Sequence, residues 1–228
     1  LIAGTNTANA TFVASGKYLT SFNETTFEVI GNVVTQENFY TFFDESGILM
    51  DEVPFDELIF KGEFSDLAAG YVIITKPVTI TGDNAVLNNM GFVIASEDVA
   101  LDSLTLVATT SLGDLISVTE SNVSLTNLDI SYAVDDGSAN VINVKGSDTL
   151  SNIIILNNTI DFESHATKDN LLVTAINLDD VEDVIVDGNN IVANIPSLTV
   201  SSYDFTYFMM GLTYVNPIRV YEASGVEL

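Results

Sequence analysis

VIVDGNNI, residues 184–191, sets apolar side chains on both sides of an Asp, a Gly and two Asn. Read alone, it spells a hairpin of strand, tight turn and strand. Four upstream stretches share the spelling and change the reading: VTITGDNA (78–85), VALDSLTL (99–106), VSLTNLDI (123–130) and IIILNNTI (153–160). The first column of the five octads is Val78, Val99, Val123, Ile153 and Val184; the third is Ile80, Leu101, Leu125, Ile155 and Val186. Apolar residues at one and three alternate as one face of a strand does. The fifth column is small or turn-forming throughout: Gly82, Ser103, Asn127, Asn157 and Gly188. Such residues tolerate or cap tight bends. The eighth column, Ala85, Leu106, Ile130, Ile160 and Ile191, returns an apolar side chain to the same core.

An apolar pair at i, i+2 precedes each octad: Val72/Ile74, Phe92/Ile94, Ile116/Val118, Ile142/Val144 and Ile176/Leu178, with a sixth pair at Ile218/Val220. Octads begin 21, 24, 30 and 31 residues apart, at 78, 99, 123, 153 and 184. Periods of roughly 20 to 50 residues mark solenoids and arrays. Each unit contains three strand-like pieces and no helical pattern. A meander of hairpins would alternate too, but it would not hold a turn residue at one fixed column. The pattern predicts an all-β fold, a right-handed parallel β-helix whose equivalent positions stack about 4.8 Å apart on successive coils.

The 228 residues are 47% hydrophobic. No apolar run approaches the ~20 residues that cross a bilayer. Coils with three buried faces use this much Val, Ile and Leu without a membrane. Because hydrogen bonds run from coil to coil, the end coils need covers. TQENFYTFFDESG (35–47) opens with Thr, spreads Phe39, Phe42 and Phe43 at helical spacing and stops at Ser-Gly. It predicts a capping helix over about 36–46, with coils from about 57, where Leu58-Ile59-Phe60 opens the first turn. Residues 1–34 suggest two or three short strands, belonging either to this solenoid or to a preceding module, with 35–228 as the β-helix. VEL (226–228) begins a sixth octad and leaves the last coil incomplete. The expectation is a fragment truncated at its C-terminus, with signal and anchor outside it.

ENFYTFFDESGILMDEVPFDELIFKGEFSDL (37–67), followed by PVTITGDNAVLNNMGFVI (77–94), resembles the adhesin-like surface proteins of methanogenic archaea. The resemblance covers about residues 35–195. Its most distinctive parts are NFY-x-FFD and DELIF-KGEFSDL. It implies a pectin-lyase-like β-helix displayed on the cell envelope, extracellular and without catalytic residues to carry over. Segment 192–217 and the first 34 residues lie outside it.

Asp and Glu number 32 against 6 Lys and Arg, a formal charge of −26. Such a surface repels nucleic-acid phosphates and anionic lipid, so neither is an expected partner. It keeps an apolar-rich solenoid dispersed. The absence of Cys excludes disulfides, iron–sulfur clusters and thiol catalysis. No cofactor is expected, with Ca²⁺ the one candidate. Turn carboxylates for it are Asp135 and Asp136 in VDDGS, and Asp179, Asp180 and Asp183 in DDVED, although neither an EF-hand loop nor a Ca²⁺-binding nonapeptide occurs.

Enzymes share this predicted fold, but fold does not fix function. Glycoside hydrolysis needs two carboxylates roughly 5–9.5 Å apart, and Asp135-Asp136 and Asp179-Asp180 are the obvious pairs. The Gly-His-Gly and Arg-x-Lys of polygalacturonases do not occur. A lyase needs a base and cations for a uronate polymer. The octad coils hold only Lys145 and Lys168, and the single Arg, Arg219, opens the next coil. A non-catalytic protein is therefore expected, with a polysaccharide lyase or glycoside hydrolase as the alternative. His165, the one histidine, is short of the about four ligands structural zinc takes.

Asn127, Asn157 and Asn189 fall at or beside the bend, where stacked Asn side chains would form a hydrogen-bonded structural ladder. Sequons occur at Asn9, Asn23, Asn122 and Asn157. The segments between an octad and the next pair lengthen through 86–91, 107–115, 131–141, 161–175 and 192–217, from 6 to 9, 11, 15 and 26 residues. Insertions in solenoids often build the binding face. The last two carry Phe162, His165, Tyr203, Phe205 and Tyr207, a predicted site for stacking on carbohydrate or grasping a cell-surface protein. The competing structure for YDFTYFMMGLTY (203–214) is an extra strand packed on the coil.

Overall fold

The computed structural model describes residues 4–13, 16–17, 20–29, 31–110, 112–134, 137–164, 171–194 and 214–227. The chain is mostly β and forms two compact units, Leu1–Val33 and Val34–Leu228. In the first, β1 (Gly4–Phe12) and β2 (Ser21–Val29) pair antiparallel, from Gly4 opposite Val29 to Phe12 opposite Ser21. Its Thr- and Asn-rich strands bury none of the side chains described there, and Phe12 and Phe22 lie exposed. β3 (Val33–Val34) falls at the junction of the units.

The second unit opens with an aromatic cap. A 3-10 turn, Gln36–Asn38, runs into a single helical turn, α1 (Phe39–Phe42). The Thr35 N–H donates to Asn38 Oδ1 at 2.7 Å, which starts the helix. The sequence spacing predicts helix over about 36–46, but the helix stops at Phe42. Phe43 turns extended, and the Asp44 carboxylate captures the Ser46 and Ile48 N–H groups at 2.8 and 2.9 Å. Gly47 (φ +82) then packs so closely that a Cβ there would lie 2.0 Å from the Tyr71 carbonyl oxygen. The Phe39 ring stacks on Phe43 at 4.6 Å, and Phe43 meets Phe60 edge-on at 5.9 Å. With Phe42 and Phe64, these fully buried rings form the N-terminal end of the core.

One large sheet of sixteen strands follows, and its strand-to-strand pairing is parallel throughout the repeats. The pairs build a first ladder from β5 (Tyr71–Ile74), β7 (Gly91–Ile94), β10 (Ile116–Val118), β13 (Gly137–Val144), the start of β16 (Leu171–Asp187) and the start of β18 (Tyr214–Glu227). Val72, Phe92, Ile116, Ile142, Ile176 and Ile218 stand in register along it. The octad openings build a second ladder from β4 (Glu57–Phe64), β6 (Val78–Asn88), β8 (Val99–Asp102), β11 (Val123–Thr126), β14 (Leu150–Leu156) and the later parts of β16 and β18. Val78, Val99, Val123, Ile153, Val184 and Val226 align there. The octad ends join the tails of β4 and β6 to β9 (Thr105–Ala108), β12 (Asp129–Val134), β15 (Thr159–Ser164) and β17 (Asn190–Asn194). Burying each aliphatic side chain contributes roughly 1.5–3 kcal/mol. A slip of one residue would exchange every buried member of a column for its outward neighbour, so the register is strongly specified.

Two columns of left-handed residues turn the chain. Asp98, Asn122, Asn152, Asp183 and Gly225 precede the second ladder at φ +52 to +62. Gly62, Asn84, Ser103, Asn127, Asn157 and Gly188 precede the third at φ +53 to +81. Gly, Asn and Asp carry this conformation at least cost. The first octad departs from the column reading. Leu87, not Ala85, lies opposite Leu106, because the bend holds two more residues and turns at Asn84 rather than Gly82. Gly82 is instead required by crowding: a Cβ would meet the Ser103 carbonyl oxygen at 2.1 Å.

The lengthening insertions begin and end as strand. β12 continues to Val134 and β13 resumes at Gly137; β15 continues to Ser164 and β16 resumes at Leu171. Tyr132, Val134, Ala139 and Val141 are buried in these extensions. Among the described residues, no helix is long and apolar enough to cross a membrane.

Candidate functional site

Between the two apolar residues of each pair, which are buried in all but the last pair Ile218/Val220, one residue takes the opposite phase. Along the first ladder these are Ile73, Val93, Ser117, Asn143, Asn177 and Arg219. The column passes from apolar near the cap to polar farther along. Asp114, in the turn before β10, receives the Asn140 Nδ2 group at 2.7 Å and the Asn143 Nδ2 group at 2.6 Å. Asn177 Nδ2 donates to Asn143 Oδ1 at 2.8 Å, and Arg219 Nη1 donates to Asn177 Oδ1 at 3.5 Å. Every bond in the row points the same way, from guanidinium to carboxylate. The charged ends fix how each amide is turned, and such chains polarise cooperatively. Asn177 is only 4% exposed, so its polar atoms depend on these partners.

Two tyrosines place the head of the row. Tyr71 donates its hydroxyl to the Leu112 and Asp114 carbonyls. Tyr132 accepts the Leu112 N–H at 2.9 Å and donates to the Gly113 carbonyl at 2.9 Å. Burial, then the neighbouring Tyr132 and Asp114, push the Tyr71 phenol above its ordinary range. One position beyond the pair, Lys145 Nζ meets Asp179 Oδ2 at 2.6 Å, and this hydrogen bond raises the lysine. Asp179 aligns with Tyr221, whose ring centroid lies 6.0 Å from the Arg219 guanidinium carbon. Tyr221 is pushed up by its hydrogen bond to Glu222 and by that residue's charge. The exposed end of the strip therefore combines amide, ammonium and guanidinium donors with one aromatic face. That set suits hydroxyl oxygens and the apolar side of a sugar ring.

The predicted aromatic wall lies elsewhere or outside the described residues. Phe162 is fully buried: it repeats the inward phase of Ile160 two residues earlier and aligns with Tyr132 and Ala193. Its ring belongs to the core, which corrects its assignment as a ligand-binding residue. His165, Tyr203, Phe205 and Tyr207 lie outside the described residues, as do Asp135 and Asp136. The remaining carboxylates proposed for Ca²⁺ do not meet at one point. Asp179 pairs with Lys145, Asp180 accepts from Thr149 Oγ1 at 2.7 Å, and Asp183 occupies a left-handed corner. Among the described residues, no three metal-type ligands cluster.

The turn ladder runs through Asn189 and, in place of Asn157, through Asn158. Asn127 and Asn157 have exposed side chains and serve as left-handed corners. Asn127 still bonds across repeats, donating Nδ2 to Asp102 Oδ1 at 2.7 Å. The buried member is Asn158. Its Oδ1 accepts the Leu128 N–H at 2.8 Å, and its Nδ2 donates to the Leu125 carbonyl and to Asn189 Oδ1. Asn189 extends the ladder to the Ile155 carbonyl at 2.8 Å. The signal was present in the sixth octad column, where Leu104 and Leu128 precede Asn158 and Asn189. A polar residue in an apolar column announces a buried network. The sequon asparagines Asn9, Asn23, Asn122 and Asn157 are all exposed.

No protein-family model, curated protein or solved structure matches the chain.

Proposed function

We propose that this chain is a segment of an extracellular, adhesin-like cell-surface protein, a right-handed, pectin-lyase-like parallel β-helix that binds carbohydrate without catalysis. The parallel ladders in constant register support the solenoid, and the NFY-x-FFD cap carries the resemblance to surface adhesins. A charge of −26 suits a neutral glycan better than an anionic one. The observation that carries the reading is the donor row itself. Asn143 on β13, with Lys145 just past its end, and Arg219 and Tyr221 on β18 flank β16 on either side along one face.

The test is binding of the chain to immobilised neutral polysaccharides, with an Arg219→Ala/Tyr221→Ala double variant beside it. The variant is expected to bind about tenfold more weakly, a loss of ~1.4 kcal/mol. No release of reducing or unsaturated sugars is expected. Unchanged binding would remove this face from the mechanism, and sugar release would replace the adhesin with an enzyme.

A further inference from the structure

The cap carries an open pocket of ≈ 700 Å³ lined by Tyr40, Phe43, Asp44, Glu45, Met50 and Ala68. Tyr40 is 45% exposed although its neighbours Phe39 and Phe42 are buried. Its ring is held at both ends, edge-on to Phe39 at 5.3 Å and with its hydroxyl accepting the Ala68 N–H at 3.1 Å. A fixed aromatic face loses little freedom when a ligand settles on it. Asp44 uses Oδ1 on the Ser46 and Ile48 N–H groups; its other oxygen and the Glu45 carboxylate have no hydrogen-bond partner among the described residues. Met50 adds a polarisable thioether. The ammonium in this region, Lys76, is taken up by the Met50, Asp51 and Val53 carbonyls at 3.0, 3.2 and 2.5 Å and does not line the pocket.

We propose that this pocket binds a quaternary ammonium head, as in choline. Apart from the Tyr40 hydroxyl, the lining side chains carry no hydrogen-bond donor, so the acceptor oxygens of a sugar or an anion find little to bind. An aromatic face, a thioether and two carboxylates together favour a cation with an apolar surface. A bare ammonium keeps its hydration in so open a pocket, whereas a methylated one sheds it. The same head occurs free and as a phosphocholine headgroup. The pocket carboxylates and the overall charge of −26 repel the phosphate and favour the free form. The pocket shares no residue with the carbohydrate strip, so the two proposals stand or fall separately.

Calorimetric or NMR titration of the chain with choline chloride at fixed ionic strength tests this, beside the neutral isostere 3,3-dimethylbutan-1-ol and phosphocholine. Saturable choline binding is expected, with both comparators about fivefold weaker or more. Tyr40→Ala should abolish saturation and Tyr40→Phe should keep it. Glu45→Gln, at an exposed position, should weaken choline while leaving the neutral isostere unchanged. Far-UV spectra show whether Tyr40→Ala remains folded, and Glu45→Gln decides the matter if it does not. Phosphocholine binding as tight as choline's would move the source to a lipid headgroup and overturn the free-solute assignment. Equal binding of the neutral isostere, or choline binding indifferent to Glu45→Gln, would overturn the proposal.

Discussion

The two ends of the solenoid-like unit solve one packing problem with opposite chemistry. At the cap, Phe39, Phe43, Phe60 and Phe64 fill the core ring against ring. In the later repeats, Asn158 and Asn189 occupy the column that Leu104 and Leu128 fill earlier, and Asn143 and Asn177 replace Val93 in the outward row. Aromatic packing is worth more per residue but tolerates approximate geometry. Amide ladders contribute less, yet each bond is met only in one register. The parallel strands accept either solution because the backbone pairing does not change between them.

Charge inserted into the shared columns separates core from surface in this comparison, with the largest effect. Ile155→Asp or Val123→Asp puts an unpaired carboxylate among fully buried neighbours and should unfold at least the adjacent repeats. Thr79→Asp, on the outward side of β6, should barely move the melting temperature. Thermal melts of the three variants check this, and equal melting would mean that the columns do not form one core.

The contrast between the ends themselves is read by Phe43→Ala against Asn158→Leu in urea unfolding. Phe43→Ala should cost about 3–5 kcal/mol, because a fully buried ring leaves a cavity between Phe39 and Phe60. Asn158→Leu restores the apolar residue seen at Leu104 and Leu128, but it orphans the Leu128 N–H and the Leu125 carbonyl. A cost of about 1–3 kcal/mol is expected. A leucine that stabilised the protein would show that the amide ladder specifies nothing the apolar column lacks.

The same asymmetry explains what could be read in advance. Strand columns such as Val99, Val123, Ile153 and Val184 were legible because period-two burial is local and repeats. The first bend was not, since Asn84 and Gly82 both suit a left-handed corner and only the crowding by Ser103 assigns the turn. Helical spacing over 36–46 was real, but the Asp44 turn competes with helix for the same N–H groups. Phe162 looked free because its insertion was read as loop, whereas strand pairing carries the inward phase through it. The polar row escaped notice because Asp114 meets Asn140 and Asn143 across 26 and 29 residues, and Tyr71 reaches Asp114 across 43. No short motif encodes such a meeting.

The smallest effect concerns acid. Burial works to raise the Asp102 carboxyl, but hydrogen bonds from Thr126, Asn127 and Ser103 together outweigh it and hold the group below its ordinary value of 3.8. Those donors stand at 2.6, 2.7 and 2.8 Å, so the ionised form is what ties the octads 99–106 and 123–130 together at this corner. A group depressed on folding contributes stability that is present above its unfolded value and lost as pH falls through its folded one. Asp102→Asn should therefore lower the melting temperature at neutral pH and close that gap on acidification below about pH 4. Apolar cap contacts carry no such dependence. Phe43→Ala should keep its full deficit relative to the parent chain across the same range. Melting curves of both variants from pH 7 to pH 3 would separate the two ends, and an Asp102→Asn deficit that did not shrink with acid would mean that the carboxylate's charge contributes nothing to the corner.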